Sequence, residues 1–385
     1  MVLTIDDIIQ HEYADYDIPK PTPKPMFAEN IKEFYDVYKF YAKAVPISKQ
    51  ISSYIVIVGI ILNLCHLFIL FQKPMRLSST NIMMIGISAT DILCMIIYPN
   101  MDKYGDWVFS YQKVRCVEPP DYIYVEILHI LMVLIYTLRR ISLWVALFMT
   151  IIRFVSIKLV MSRYINTITK PKTGLVAILM ACVFISPFTV LIYLQLYVYS
   201  NDSWTPGRTC TNYPRNFTKP KYGFGGFFKN QDQWLQTGRF YDAIISKLLP
   251  CILLPIFSIF LVISLKKAHK ARQKVSNSSA KGDLTSKIVI GVAITYFMSD
   301  LPSAIILLIQ AKYSDSTGVY YLMEDSNNLI WPIYMANGSI HCIICFLMST
   351  QYRNTVKEVV RYEKWRWTER TKTRTISVIT VSAHS

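Results

Sequence analysis

Seven long apolar runs constrain this chain more than any other feature of its sequence. A helix needs about twenty apolar residues to cross the hydrocarbon layer of a bilayer, and these runs match that length. Charged residues make up only 17% of the chain, whereas a soluble protein carries about 25%. We therefore predict an all-α membrane protein, a bundle of seven transmembrane helices over Ile51–Phe71, Asn81–Tyr98, Tyr124–Ile152, Thr173–Tyr197, Ala243–Leu265, Ile288–Gln310 and Leu329–Ser349.

The charges of the connecting segments predict how the bundle is oriented. Lysine and arginine accumulate in the cytosolic segments of membrane proteins. Here they concentrate in alternate segments, above all in "KKAHKARQK" (Lys266–Lys274) and after the seventh run. This pattern places the amino terminus outside and the carboxyl terminus in the cytosol. The formal net charge of +16 is then mostly loop charge, which points to membrane lipid and not to nucleic acid as a partner.

The same orientation divides the chain into three parts. Residues 1–50 form an extracellular tail, residues 51–349 form the seven-helix domain, and residues 350–385 form a cytoplasmic helix 8 with a tail rich in serine and threonine. In the first tail, "PKPTPKP" (Pro19–Pro25) is expected to be extended or disordered. The last residues, Thr368–Ser385, either contain phosphorylation sites or form a disordered polar end whose only role is to be solvated.

Two features of the outer loops agree with this orientation. Asn201 and Asn216 begin N-x-S/T triplets, which are glycosylation sites in a lumenal or extracellular loop. Six of the eight cysteines fall within the apolar runs, and only Cys116 and Cys210 fall in outer loops. Two thiols in an oxidising compartment predict a disulfide.

Polar and ionisable side chains inside the runs are costly in a membrane and mark candidate functional sites. The third run carries Arg139 and Arg140 side by side. We expect one of them to face the bundle near Asp300 or Asp91, and the other to turn toward the fourth or fifth helix. A guanidinium that faces the bundle could instead capture a ligand carboxylate or carbonyl. The other polar positions are Asn63, Ser142, Arg153, Lys247, Asn337 and His341.

Five blocks in this order resemble the nematode serpentine receptors of class W, rhodopsin-like G protein-coupled receptors related to FMRFamide-type peptide receptors. They extend from the first run to the start of the last tail: "LNLCHLFILFQKPMRLSSTNIMMIGISATDIL", "RRISLWVALFMTIIR", "SKLLPCILLP", "TSKIVIGVAITYFMSDLP" and "HCIICFLMSTQYRNTV".

The resemblance implies roles for these positions. Arg153 would meet the G protein, Pro302 would be the pivot of the sixth helix, and Tyr352 would be the aromatic residue of helix 8. The polar core would surround a hydrated sodium ion, or form a hydrogen-bonded cluster without an ion, and a protonated His341 would compete with sodium. Its members are Asn63, Asp91, Ser142, Asn337 and His341, and the ligand-pocket candidates are Arg139, Arg140, Lys247 and Asp300.

Three motifs depart from the family pattern. Ile152 replaces the acidic neighbour of the signalling arginine, "HCIIC" with His341 and Cys345 replaces the NPxxY motif, and Asp300 replaces a tryptophan. These departures put in doubt the ionic restraint, the tyrosine switch and the aromatic toggle of the family.

The resemblance implies a G protein-coupled receptor of the plasma membrane, with neurons or cilia as candidate locations. A receptor kinase and an arrestin are further implied partners, and no catalytic or metal site is expected. The acidic first tail and the acidic third outer loop (Asp315, Glu324, Asp325) suit a cationic peptide such as one ending in Arg-Phe-amide. A chemosensory receptor for a small environmental molecule is the alternative. A transporter or channel would require internal repeats or broken helices, and the sequence has no visible repeat.

Overall fold

The apolar runs form long helices in the computed structural model, which describes residues 31–113, 116–159, 163–193, 196–207, 210–214, 216–226, 231–275, 284–312 and 318–361. The first four helices are α1 (Ile31–Leu70), α2 (Ser79–Lys113), α3 (Tyr122–Lys158) and α4 (Pro171–Tyr193). A short helix, Ile165–Ile168, lies between α3 and α4. Helix α5 has three consecutive segments, Gln231–Tyr241, the π-helical Asp242–Leu248 and Leu249–Val275. Then follow α6 (Leu284–Lys312), α7 (Gly318–Met348) and α8, residues 350–361.

The prediction of seven membrane-spanning helices is confirmed. Within the described residues, seven helices are long and apolar enough to cross a bilayer. Their large apolar side chains also cover the outside of the bundle: Val183, Met298 and Leu347 are each more than 60% exposed. Such a surface is unfavourable in water but suits contact with lipid, where each helix satisfies its own backbone hydrogen bonds.

Two predicted boundaries differ from the structure. The sequence predicts residues 31–50 as part of the tail, yet they continue α1, and Tyr41 Oη lies 2.7 Å from Ser326 Oγ of α7. The sequence predicts that the fourth run extends to Tyr197, but α4 ends at Tyr193 because the residues from Leu196 pair in a hairpin. The segment Pro19–Pro25 and the tail Thr368–Ser385 lie outside the described residues.

The loop between α4 and α5 forms an antiparallel hairpin of β1 (Leu196–Trp204) and β2 (Lys219–Gly226). Trp204 is buried in this loop, where its ring packs edge-on against Tyr213 and Phe217. Phe224 of β2 lies 5.3 Å, between ring centroids, from His129 of α3. These contacts hold the hairpin against the first turns of α3. We call this end of the bundle the disulfide end and the opposite end the α8 end.

The interior has two apolar layers that are separated by polar residues. The layer at the α8 end includes Leu143–Met149 of α3 and Ile288–Tyr296 of α6. The smaller layer toward the disulfide end includes Cys94, Ile135 and Met335. Along α3, Arg139 and Arg140 fall between Leu138 of one layer and Ile141 of the other. The helices therefore bring many of their polar residues together in the middle of the bundle.

Close helix contact makes this polar layer compact. A Cβ atom on Gly338 of α7 would lie 3.0 Å from the Asp91 Cγ atom of α2, tighter than ordinary van der Waals contact. The absence of a side chain at Gly338 thus allows α7 to approach the carboxylate of Asp91. The same backbone region accepts a hydrogen bond from Asn63 Nδ2, at 3.0 Å from Gly338 O.

Candidate functional site

Arg139 of α3 is buried between two carboxylates. Its Nη2 atom lies 3.4 Å from Asp300 Oδ2 of α6, and its Nη1 atom lies 4.0 Å from Asp91 Oδ1 of α2. The guanidinium carbon also lies 4.1 Å from the ring centroid of Tyr334. This is the bundle-facing arrangement expected for one of the two adjacent arginines. A guanidinium so deep in the membrane is tolerated because carboxylates and an aromatic face surround it.

Arg140 points to a different helix and binds Asp242. Both side chains are almost fully buried. Arg140 Nε donates to Asp242 Oδ1 at 2.7 Å, and Arg140 Nη2 donates to Asp242 Oδ2. The pair is bidentate, the geometry in which a guanidinium and a carboxylate interact most strongly. The second arginine was expected to turn toward the fourth or fifth helix, and Asp242 belongs to the fifth.

Sequence reasoning missed Asp242, which it placed in the loop before a helix starting at Ala243. The structure continues α5 upstream, and its membrane-spanning stretch covers Gln236–Ala268. The signal that could have found Asp242 is its position one residue before an apolar run that already contained a lysine. A membrane helix with one buried cation commonly has a buried anion nearby.

Lys247 lies in the same π-helical segment as Asp242. In a π-helix the backbone pairs residues five apart, so positions 242 and 247 stack about one turn from each other. The Lys247 ammonium donates to the hydroxyl of Ser303 on α6 and, at 2.9 Å, to that of Tyr334 on α7. Within this π-helical segment Lys247 is thus directed toward α6 and α7, while Asp242 binds Arg140 of α3.

The remaining members of the predicted polar core converge at a lower level of the bundle. His341 Nδ1 lies 3.2 Å from Asp91 Oδ2, without the angles of a hydrogen bond. Ser142 bonds to the hydroxyl of Tyr296, whose ring lies 5.4 Å from that of His341. Asn63, Asn337 and His341 are all buried. Of the five predicted residues, His341 lies against Asp91, Asn63 donates to the backbone of Gly338 beside that carboxylate, and Ser142 approaches His341 through Tyr296. Asn337 precedes Gly338 on α7.

The sodium ion that the resemblance allows would meet a cation beside Asp91. Asp91 already faces the guanidinium of Arg139 at 4.0 Å, which supplies the positive charge that the ion would supply. A second cation at a similar distance from the guanidinium would be repelled by about 4 kcal/mol at an effective dielectric constant near 20. Asn337 Oδ1, Asn337 Nδ2 and Asn63 Oδ1 have no hydrogen-bond partner within the described residues, and such neutral groups suit buried water. We therefore propose the cluster without an ion.

A cavity of about 240 Å³ lies above this polar layer, toward the disulfide end. Helices α3, α5, α6 and α7 and the first residue of β1 contribute its walls. The lining includes three of the four predicted pocket residues; Asp300 lies behind Arg139 and does not line the cavity. The lining side chains are Met132, Tyr136, Arg139, Arg140, Leu196, Arg239, Lys247, Ser303, Ile306, Leu307, Gln310, Asn327, Trp331 and Tyr334.

The predicted outer-loop cysteines form a disulfide in the structure, with 5.5 Å between the Cα atoms of Cys116 and Cys210. The hydroxyl of Tyr213 donates to Cys116 O at 3.0 Å. Lys219 of β2 pairs with Asp121 and Glu118 at 2.9 and 3.1 Å. Partial burial alone would lower the pKa of Lys219, but these two carboxylates raise it above its usual value. The disulfide and the ion pairs fix the hairpin over the start of α3.

The two predicted glycosylation positions lie in this hairpin region. Asn201 belongs to β1. Asn216 is exposed and has a φ of 69°, a left-handed conformation that asparagine adopts more readily than most residues. Exposure on a loop is what attachment of a glycan requires.

The residues predicted to act in signalling lie at the α8 end or along α6. Arg153 Nη2 donates to Ser78 Oγ at 3.3 Å, just before α2. Tyr352 of α8 is buried, and its hydroxyl lies 3.0 Å from His66 Nδ1 of α1. Pro302 lies inside α6, beside Ser303 of the cavity. Helix α6 thus runs from the ligand-pocket candidates to the α8 end.

Two comparisons with known proteins bear on this arrangement. A family profile described as "Serpentine type 7TM GPCR chemoreceptor Srw" matches residues 50–363, which include α1 from residue 50 onward and all of α2 to α8. The chain is also 21% identical over 382 residues to the G-protein coupled receptor dmsr-1 of Caenorhabditis elegans. That alignment covers 85% of this chain and 70% of the relative.

Proposed function

Because the chain belongs to the Srw family of serpentine seven-transmembrane G protein-coupled receptors, we propose that its ligand is a peptide of the kind that ends in Arg-Phe-amide. The family implies an extracellular ligand and a heterotrimeric G protein as partners and a generally non-enzymatic role. The observation that carries the peptide proposal is a small cavity beneath loops that bear exposed carboxylates.

The cavity is too small for a whole peptide and suits one end of it. Its volume of about 240 Å³ is below the range of roughly 300–1,000 Å³ for sites that enclose a drug-sized ligand. The rest of a peptide would lie along the loops of the disulfide end. There, the side chains of Asp121 and Asp202 are paired with Lys219 and Lys221 but remain 79% and 67% exposed. Exposed carboxylates attract a cationic chain and speed its association.

The predicted acidic loop contributes less to this argument. Asp315 lies outside the described residues, as does the side chain of Glu324. Asp325 is partly exposed near the start of the last membrane-spanning stretch.

In this proposal the disulfide end faces the outside and the α8 end faces the cytosol at the plasma membrane. Positive loop charge favours that orientation. An agonist acts only through its different affinities for the inactive and active states. A ligand oxygen on the remaining donor of Lys247 weakens the hydrogen bond between Lys247 and Ser303, next to Pro302. Release of that contact favours outward movement of α6 around Pro302, which opens the G protein site at Arg153.

A chemosensory role for a small environmental molecule is the second candidate. The description of the matching family as chemoreceptors favours it, and so does the small cavity. The two proposals differ in whether ligand atoms must extend beyond the cavity to the hairpin and loops.

A receptor-activation screen distinguishes them. Cells that express this chain with second-messenger reporters are exposed to amidated Arg-Phe peptides, to the same peptides with free carboxyl termini, and to small volatile molecules. The peptide proposal expects activation by a peptide at submicromolar concentration, weakened by combined Asp121→Asn and Asp202→Asn. Uninduced cells and Arg153→Ala receptors serve as controls. Activation by small volatile molecules alone would overturn the peptide proposal.

A further inference from the structure

The side chains that line the cavity carry positive charges, and no negatively charged side chain of the described residues is exposed to it. Four basic side chains line it, and within the described residues no carboxylate does. The nearest carboxylates, Asp242 and Asp300, sit behind the guanidiniums of Arg140 and Arg139 that they bind. A ligand group that enters the cavity therefore meets hydrogen-bond donors first.

Lys247 differs from the two arginines in its partners. Arg139 and Arg140 each bind a carboxylate, whereas no carboxylate of the described residues lies within 4.0 Å of the Lys247 ammonium. Lys247 uses two of its three donors on the neutral hydroxyls of Ser303 and Tyr334. A buried ammonium with only neutral acceptors is poorly compensated, so an oxygen atom from a ligand would complete its coordination.

The walls around this ammonium are apolar and aromatic. Met132 and Leu307 contribute aliphatic surface, and Tyr136, Trp331 and Tyr334 contribute rings. The Trp331 and Tyr334 rings lie 5.7 Å apart in an edge-on arrangement. Such walls favour an aromatic or aliphatic group next to the oxygen that reaches Lys247.

We propose that the cavity binds a carboxylate or carboxamide oxygen that is adjacent to an aromatic or aliphatic group, with that oxygen on Lys247, and that it excludes cationic groups. The inference deepens the proposed function by assigning which end of the ligand enters. For a peptide ending in Arg-Phe-amide, the phenylalanine amide enters the cavity. The arginine stays outside, near the exposed carboxylates of the loops.

Three small probes of one shape test this without a known agonist. Purified receptor is heated with 4-phenylbutyrate, 4-phenylbutyramide or 4-phenylbutylamine at millimolar concentration. We expect the acid and the amide to raise the Tm by about 2 °C or more, since binding to the folded state stabilises it, and the amine to leave it unchanged. Stabilisation by the amine equal to that by the acid would overturn the proposal.

Two variants locate the effect. Lys247→Met removes the ammonium while keeping the length of the side chain, and it should abolish the shift caused by the acid. Lys219→Met, an outer-loop lysine remote from the cavity, should retain it. If Lys247→Met does not fold, Ser303→Ala provides the second test: it frees a donor of Lys247, so the shift caused by the acid should persist or grow. An undiminished acid shift in Lys247→Met would exclude Lys247 as the site.

The probe assay and the peptide screen can fail independently, so their results distinguish the assignment of the cavity from the peptide proposal. Stabilisation by the acid and amide together with no activation by any peptide would reject the peptide class and keep the chemistry of the cavity. Activation by an amidated peptide whose potency is unchanged in Lys247→Met would reject the cavity assignment and keep the peptide class.

Discussion

Arg139 connects Asp91 and Asp300, two buried carboxylates on different helices, through opposite nitrogens of one guanidinium at 4.0 and 3.4 Å. The same guanidinium lines the cavity and contacts the ring of Tyr334. One side chain of α3 thus touches the cavity, the polar core and the helix that contains Pro302. A ligand that moves Arg139 would change the contacts of both carboxylates.

Loss of the Arg139 guanidinium should destabilise the receptor. Removing one partner of a buried ion pair costs roughly 3–5 kcal/mol, because it leaves an uncompensated charge. We expect Arg139→Met to lose most surface expression and to have a lower Tm after purification. The double variant Arg139→Met with Asp300→Asn should recover part of both, since it removes one stranded charge. Normal expression of the single variant would show that the network does not stabilise the fold.

The two adjacent arginines should respond differently to replacement by lysine. Arg140 makes two hydrogen bonds to Asp242 in the fork geometry that lysine cannot reproduce. Arg139 holds its carboxylates at longer distances, where a point charge serves nearly as well. We expect Arg140→Lys to lower the Tm more than Arg139→Lys does. The corresponding loss of unfolding free energy should be larger by about 1 kcal/mol or more. Equal effects would indicate that the bidentate geometry carries no additional stability.

The sequence predicted the helices and most of the site, because both follow from the cost of polar groups in lipid. A bilayer forces long apolar runs, and it makes Arg139, Arg140, Lys247 and Asp300 conspicuous within them. Asp242 was not predicted because it lies at a helix boundary. An error of one residue in that boundary assigns its carboxylate to a loop and not to a membrane helix.

Other features depend on contacts that no local pattern encodes. The π-helical turn at Asp242–Leu248 has no signature in its composition. The helical continuation over residues 31–50 depends on packing against α7, as the contact of Tyr41 with Ser326 shows. Residues from Leu196 onward read as the end of an apolar helix, but pairing with β2 places them in a hairpin.

Stability of the receptor should not depend on sodium. In our interpretation Arg139 provides the positive charge beside Asp91, so replacing sodium by potassium at constant ionic strength should leave the Tm unchanged. Asp91→Asn should behave identically in the two salts. A Tm that rises with sodium in the unmodified receptor, but not in Asp91→Asn, would show that an ion does bind at Asp91.

Cys116→Ser and Cys210→Ser should reduce surface expression to the same extent. The bond closes a segment with a sequence separation of 94 residues, for which the loss of chain entropy corresponds to about 4–5 kcal/mol. The double variant should express as well as either single one, because each change removes the same bond. Surface labelling by antibody measures this. Unequal single variants would count against a shared bond, and Cys65→Ser, outside the disulfide, serves as the matched control.

Arg153 should control signalling with little effect on folding. It lies at the α8 end, where its side chain is partly exposed and donates to Ser78 Oγ at 3.3 Å. Position 152 is isoleucine, so no acidic residue directly precedes Arg153. The hydrogen bond to Ser78 therefore helps to hold the Arg153 side chain in place, as an adjacent carboxylate would otherwise do. Ser78→Ala should therefore raise basal second-messenger output, by at most about tenfold for a bond of about 1.4 kcal/mol.

Arg153→Ala should abolish output while surface expression stays near that of the unmodified receptor. Preserved output in Arg153→Ala would place the G protein contact elsewhere on the α8 end.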